Sequence, residues 1–490
     1  MEKFKIDTLH NCEHIEVNPN VKSNFKEYEV SMMNKLINLE KLEEELKKSG
    51  KSFIDYIIRE VPEQILSLLY IIKDVVRDPR RKTGNFKYDI TPIMGIIFLS
   101  ILVGYDFVKS MFNHGRDLWK VIAALLEIKS DYPSYDTFRR VLNSTNNQEL
   151  AEVRKRWHES IGITYVGDSR NNCEKDSKEF EDFSRDWIEK ANRDLDALIQ
   201  NQYHPPVRVC AQDGKLMKAT RSRVNKEPAR DVISIFDVQT NEVLAESLVP
   251  NKKNEISENP NVVDKLDPCY NYLISFDAMG CQKDLARDIQ NHDWYYLFKV
   301  KSNQPTLLNN ISECFDKYGG LKIFSRASTE GGHYTEWTFY VSDRVDKSVK
   351  EWAGVKSYGM VITYSERDGE VTEEKSYFVM NFLDPALFVY AKIMHWRIEN
   401  KLHHPLDCVF NEDRCRVRSG FGHQNLNTIR KGAVTFYRYA LKLLGNKFTS
   451  FGSLLLIVRK SIFSLNKCIK NVKMDTSFSI KDLLAEVVNI

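Results

Sequence analysis

Apolar residues recur at helical spacing through residues 28–75, as Leu36, Leu39, Leu42 and Leu46 and then Ile57, Ile58, Ile65 and Leu66. That period predicts two helices divided near Ser49-Gly50, and the series is too short for the several heptads of a coiled coil. The run PIMGIIFLSILVG (92–104) is too short to span a bilayer and opens with a helix-starting proline, so it predicts a buried helix. PSYDTFRR (133–140) carries a Ser-x-x-Thr helix start. DFSRDWIEKANRDLDALIQ places one more helix in an acidic stretch at 163–205.

After Pro206 the pattern changes to strands. PVRVCAQDGK, a hairpin DVISIFDVQTNEVLAESLV about Thr240-Asn241, YLISFDAM and WYYLFKVK predict the first set. EWTFYVSD, YGMVITYSER and KSYFVMNF add three more, with Asp368-Gly369 turning between the last two. From Pro385 the helical period returns through HWRIENKLHHPLDC and GHQNLNTIRKGAVTFYRYALKLL. The expected class is α/β: an all-α N-terminal region, an α/β core opened by an all-β insertion at about 305–385, and a closing helix. The expected divisions are a helical extension (1–75), a helical domain (76–165), an acidic linker and helix (166–205), the core (206–445) and a basic helical tail (446–490).

Charge adds an asymmetry that the pattern does not show. Residues 401–460 hold eleven Lys or Arg against three acids, whereas 166–200 hold ten acids against six bases. A polyanion-binding face and an ordinary solvated basic surface both fit that distribution. The nine cysteines form no CxxC pair, which argues against a disulfide-rich secreted class and for a reducing compartment. MEKFKIDTLHNCEH lacks the apolar core of a signal peptide, so a soluble cytoplasmic protein is expected.

Three acids stand where elements would present them: Asp213 at the end of the first strand, Asp277 at the end of YLISFDAMG, and Glu399 within a helix expected over 386–404. Singly, these suit a turn residue, a helix cap or a solvated helix face. Jointly they suit two divalent cations that clamp a scissile phosphate, a task that needs carboxylates from different elements. His395 and His403 flank Glu399 at four residues on either side and share its face. With Cys408 they raise a zinc reading, but no second cysteine pair is near and Pro405 should disturb the helix. An orienting or phosphate-binding role for His395 or His403 fits better. Lys215 and Lys401 each follow an acid by two residues and suit either phosphate binding or plain solvation. Arg414, Arg416 and Arg418 would line one face of an extended segment, and Trp396 is expected in the core.

The ordered series DPRRKTGNFKY, PSYDTFRR, DGK, KKNEI, DAMGCQ, KVKSNQPTL, HWRIENKLHHPLDCVFNEDRCRVRSG and QNLNTIRKGAV resembles the DDE transposases of bacterial insertion sequences. The likeness is to the ISAs-type branch that includes the H-repeat proteins, and it runs over roughly residues 75–445. It implies an RNase H-like catalytic core with a β insertion, and it lays the family's two aspartates and glutamate on Asp213, Asp277 and Glu399. It further implies two Mg²⁺ ions on those acids, with Mn²⁺ able to substitute. The family's asparagine-glutamine pair falls on Asn303 and Gln304, to support the site or touch DNA. Double-stranded DNA of transposon ends and target is the implied partner, bound by a homodimer in the bacterial cytoplasm at the nucleoid, with no membrane. Arg80, Arg81, Lys82, Arg139 and Arg140 of the helical part, with Arg414, Arg416, Arg418, Arg430 and Lys431, are the expected DNA contacts. The chain departs from the family at Ile393, where arginine is usual, at His404, where tryptophan is usual, and after DGK, where LMKA lacks the usual arginine. These departures keep two other readings open, a non-catalytic DNA-binding descendant and a metal-dependent nuclease without strand transfer.

Overall fold

The computed structural model describes residues 66–80, 88–161 and 185–444, apart from short gaps at 127, 129, 222–227, 250–254, 331, 347–348, 350 and 368. The helices expected over 28–65, the cations Arg81 and Lys82, and the tail 446–490 lie outside the described residues. The helical part comprises α1 (66–75), α2 (Ile90–Leu102), α3 (Val108–Leu125), α4 (Tyr135–Ser144) and α5 (Asn147–Ser160), followed by α6 (Arg185–Ile199). Helix α2 is buried along its whole length and starts two residues before Pro92. Its true start is Asp89, whose carboxylate accepts from the Thr91 N–H at 2.7 Å. Ser134 caps α4 as its sequence predicts, accepting from the Thr137 N–H.

Nine strands form one mixed sheet among the described residues: β1 (Arg208–Met217), β2 (Arg230–Asp237), β3 (Glu242–Leu248), β4 (Tyr272–Phe276), β5 (Tyr295–Val300), β6 (Leu321–Glu330), β7 (His333–Ser342), β8 (Ser357–Arg367) and β9 (Glu370–Met380). Their spatial order is β3-β2-β1-β4-β5-β9-β8-β7-β6. β1, β4 and β5 are parallel neighbours, and every other pair is antiparallel. The helices among and after them are α7 (Glu255–Val263), α8 (Lys283–Asn291), α9 (Pro305–Tyr318), α10 (Pro385–His395), α11 (His404–Cys408) and α12 (Gly422–Leu444).

The stretch 305–385 is therefore not all-β. Its first part is α9, where Pro305 fits the first turn and Leu307, Ile311, Cys314 and Phe315 bury one face. β6 was not anticipated, and all four late strands extend the same sheet because β9 pairs with β5. Both faces of the central strands are covered, which is why those strands read as unbroken apolar runs. One face sets Val209, Ala211, Leu273 and Leu297 against α10 and a core shared with the N-terminal helices. The other sets Cys210, Ile274, Tyr296 and Phe298 against α7, α8 and α9.

Buried charge, not only apolar contact, ties the helical part to the sheet. Glu246 of β3 meets Lys431 of α12 at 2.7 Å and Arg154 of α5 at 3.2 Å, and Lys431 also donates to Ser234 Oγ at 2.8 Å. Asn425 of α12 donates to the Leu142 and Thr145 carbonyls at 2.8 and 2.9 Å, filling acceptors left open at the end of α4. This corrects the expectation for Arg430 and Lys431 as DNA contacts. Each is about 1% exposed, and Arg430 turns to the Asp106 carbonyl and to Glu412. Arg80 is turned inward too, pairing with Asp78 and donating to the Tyr88 carbonyl.

Candidate active site

The parallel pairing of β1 with β4 stops at Gln212 and Phe276, and the next residue on each strand is an aspartate. Asp213 is thus not at the end of its strand, because β1 runs on to Met217 paired with β2 alone. What ends there is the β1–β4 contact, and Asp213 and Asp277 stand where it opens. Crevices beyond the carboxyl ends of parallel strands are the usual ligand sites of α/β sheets. A tight turn at Ala278–Gly280 comes directly after Asp277. Asn303 and Gln304 brace it, donating to the Ala278 and Cys281 carbonyls at 2.7 and 2.9 Å.

Glu399 arrives from the other direction. The helix expected over 386–404 is α10 and then a π-helical turn, Glu399–His403, in which the His404 N–H reaches back five residues to the Glu399 carbonyl. Pro405 does not break the next helix, since it occupies the first turn of α11. A proline at 405 cannot donate to the Lys401 carbonyl, and Arg438 Nε donates to it instead at 2.8 Å.

One imidazole links two of these acids, and another holds the third. His403 Nδ1 lies 2.8 Å from Glu399 Oε2 and 3.4 Å from Asp213 Oδ2. His395 Nε2 lies 3.5 Å from Asp277 Oδ1, while its Nδ1 meets Ser275 Oγ at 2.9 Å. The His403 hydrogen bond holds the Glu399 carboxyl below its ordinary range, and the His395 hydrogen bond does the same for Asp277. Burial opposes the charged form of His403, but its bonds to Asp213 and Glu399 win and raise its pKa. Ligand atoms of Asp213, Glu399 and His403 fall within 4.8 Å of one another. Their carboxyls are reachable from solvent, with side-chain exposures of 30% for Asp213, 50% for Glu399 and 68% for Asp277. Hard oxygen donors that keep access to water suit a divalent cation such as Mg²⁺. His404 turns away to Cys408 Sγ at 3.3 Å.

The remaining expected residues fall into distinct groups. Lys215 is buried and paired with Asp407 at 2.6 Å, and half-buried Lys401 lies among Arg397 and Arg438. Arg139, Arg140, Arg414 and Arg416 are exposed. Arg418 folds its guanidinium onto the carbonyls of Ala219, Thr220 and Arg221. Trp396 is not in the core: it is 61% exposed, because Ile398 and Leu402 take the buried side of its segment. Trp396→Ala is accordingly expected to change unfolding free energy by no more than about 0.5 kcal/mol in urea denaturation. Two acids escaped the sequence reading. Glu255 opens α7 and is hydrogen-bonded to Asp231 near the start of β2. Burial raises both carboxyls; the charges of Asp231, Asp213 and Asp277 raise Glu255 further, whereas the hydrogen bond with Glu255 partly offsets the effect of burial on Asp231.

Fold and site together define a mixed α/β protein with a carboxylate–imidazole cluster at the open ends of adjacent parallel strands. The chain belongs to the DDE transposase family: residues 205–436 match the family described as Transposase DDE domain, and residues 74–158 match the one described as DDE_Tnp_1-associated. All three expected acids lie in the first of these spans. The chain is 32% identical over 366 residues to YhhI, an H repeat-associated protein of Escherichia coli strain K12, covering 72% of this chain and 86% of that one. It is 24% identical over 387 residues to YncI of Escherichia coli O157:H7, covering 77% and 87%. The family fits an RNase H-like core, uses divalent metals and implies a DNA substrate. No helix among the described residues is long and apolar enough to cross a membrane.

Proposed function

We propose that this chain is a DNA transposase that cuts phosphodiester bonds at the ends of its element and joins the new 3′-hydroxyl to target DNA. Asp213, Asp277 and Glu399 would hold two Mg²⁺ ions, with Mn²⁺ able to replace them. The observation that carries the reading is the convergence of three solvent-reachable carboxyls from three separate elements, with His403 within 3.4 Å of two of them and His395 within 3.5 Å of the third. Bound divalent ions supply activation of the attacking oxygen and stabilisation of the leaving one. The chain's own groups do the rest. His403 keeps Glu399 and Asp213 together, His395 orients Asp277, and Asn303 and Gln304 fix the turn behind it.

The RNase H-like assignment has support in the order β3-β2-β1-β4-β5, with three antiparallel strands followed by two parallel neighbours. In this reading β6 to β9, with α9, are the insertion before the glutamate. Arg139 and Arg140 on α4, with Arg414 and Arg416, are exposed and would contact phosphates in this reading, joined by Arg81 and Lys82. A homodimer on DNA would bring two element ends together.

The test is incubation of the full chain with labelled element-end DNA, a target plasmid and Mg²⁺ or Mn²⁺. Nicked ends plus joined product are the expected outcome. Nicks without joining would replace the reading by a nuclease, and bound but intact DNA would replace it by a non-catalytic binder.

A further inference from the structure

We infer that Glu255 is a fourth carboxylate of the proposed metal site, reaching it from the opposite face of the sheet to Glu399 and held there by Asp231. The inference rests on the reading of Asp213, Asp277 and Glu399 as metal-binding acids. Alternation along β1 sends Asp213 toward Glu399 and His403, so Gly214 faces the other side, where α7 packs. A Cβ at position 214 would lie 2.1 Å from Glu255 Oε1. The Glu255 carboxyl therefore rests against the strand backbone one residue from Asp213, in space that any other residue at 214 would fill.

Asp231 completes the arrangement. It sits on β2 opposite Leu216, which puts it on the same face as Gly214, and its carboxyl is hydrogen-bonded to Glu255. The Asp231 Oδ1 atom is buried and accepts no hydrogen bond from an N–H or hydroxyl donor. A buried carboxylate oxygen left without a donor calls for a cation or a bound water. Helix α7 also packs against the Ala278–Gly280 turn that directly follows Asp277. The nearby Lys215 is already committed to Asp407. Carboxyls from β1, from the residue after β4, from α7 and from the π-helical turn thus stand about the point where β1 and β4 part, and several hard oxygens from different elements are what two divalent ions need.

The experiment measures metal directly on the full chain. Mn²⁺ binding is followed by the electron paramagnetic resonance of free Mn²⁺ for wild type, Glu255→Gln, Glu255→Asp and a control on the β8–β9 hairpin, Glu370→Gln. Glu255→Gln should weaken binding by roughly ten-fold or more, with partial recovery in Glu255→Asp and none of the loss in the control. Independently of any variant, Fe²⁺ with ascorbate and peroxide should cut the wild-type chain near residue 255 as well as near 213, 277 and 399. Unchanged Mn²⁺ affinity in Glu255→Gln, with iron cuts at the three acids but none near 255, would overturn the inference alone. No Mn²⁺ binding and no iron-dependent cuts in wild type would bring down the underlying reading with it.

Discussion

Asp213→Asn, Asp277→Asn and Glu399→Gln, each introduced singly, are expected to lower Mg²⁺-dependent cleavage of element-end DNA by roughly a thousand-fold or more. That factor corresponds to about 4 kcal/mol of barrier, a modest share of what metal-held charge contributes to phosphoryl chemistry. The amide replacements keep shape and one acceptor oxygen, so the hydrogen bonds from His403 to Glu399 and from His395 to Asp277 have a surviving partner. What they remove is the negative charge that would hold the cation. All three side chains are at least 30% exposed, so none of the substitutions empties a core position. Thermal unfolding and DNA binding measured without metal should therefore stay close to wild type. Retained cleavage in any one variant would remove that residue from the site. Glu370→Gln, on the far β8–β9 hairpin, is the matched control and should cleave normally.

The strands that build the site were legible because both of their faces are buried, which leaves short, largely apolar runs rich in aromatic and β-branched residues such as YLISF and WYYLFKV. The hairpin between β2 and β3 was legible in Thr240-Asn241, and Asn241 does adopt a positive φ of 59°. Helix α9 was not anticipated, although Pro305 and the spacing of Leu307, Ile311 and Phe315 carried its signal. The three acids were found through ordered motifs, and Glu255 stood in plain view in KKNEI. Its role depends on Gly214 and Asp231, neighbours that local spacing cannot supply. Trp396 fails for a related reason. Helical periodicity says which residues share a side, but it does not say which side faces the protein where α10 ends at Trp396 ahead of the π turn. The basic residues show the same gap most sharply, since a charge count treats Arg414 and Lys431 alike while the fold exposes one and encloses the other.

Lys431→Met is expected to cost about 3–5 kcal/mol of stability, the range for breaking a buried ion pair by removing one partner. It should leave the salt dependence of DNA binding unchanged under conditions where the variant is folded. A phosphate contact would behave in the opposite way, with little loss of stability and a slope of log affinity against log salt smaller by about 0.9. Geometry decides between these outcomes: Lys431 and Glu246 are 1% and 4% exposed, and Thr428 and Arg154 complete the carboxylate's partners. Burial alone would raise Glu246, but Lys431 and Arg154 overcome it and bring its pKa down to about 2. The same burial pulls Lys431 below the usual lysine range, so the pair's net worth is smaller than the Glu246 shift suggests. The sign for acid comes from Glu246. A folded-state pKa below the ordinary 4.5 makes its contribution complete above that pH and lost as pH falls toward about 2. Urea unfolding of wild type should weaken through that window, and Lys431→Met, with one counter-charge gone, should lose less across it. An equal acid loss in both proteins would mean that Lys431 does not hold Glu246 ionised, leaving that task to Arg154 of α5 and the contact of α12 with Glu246 to Thr428.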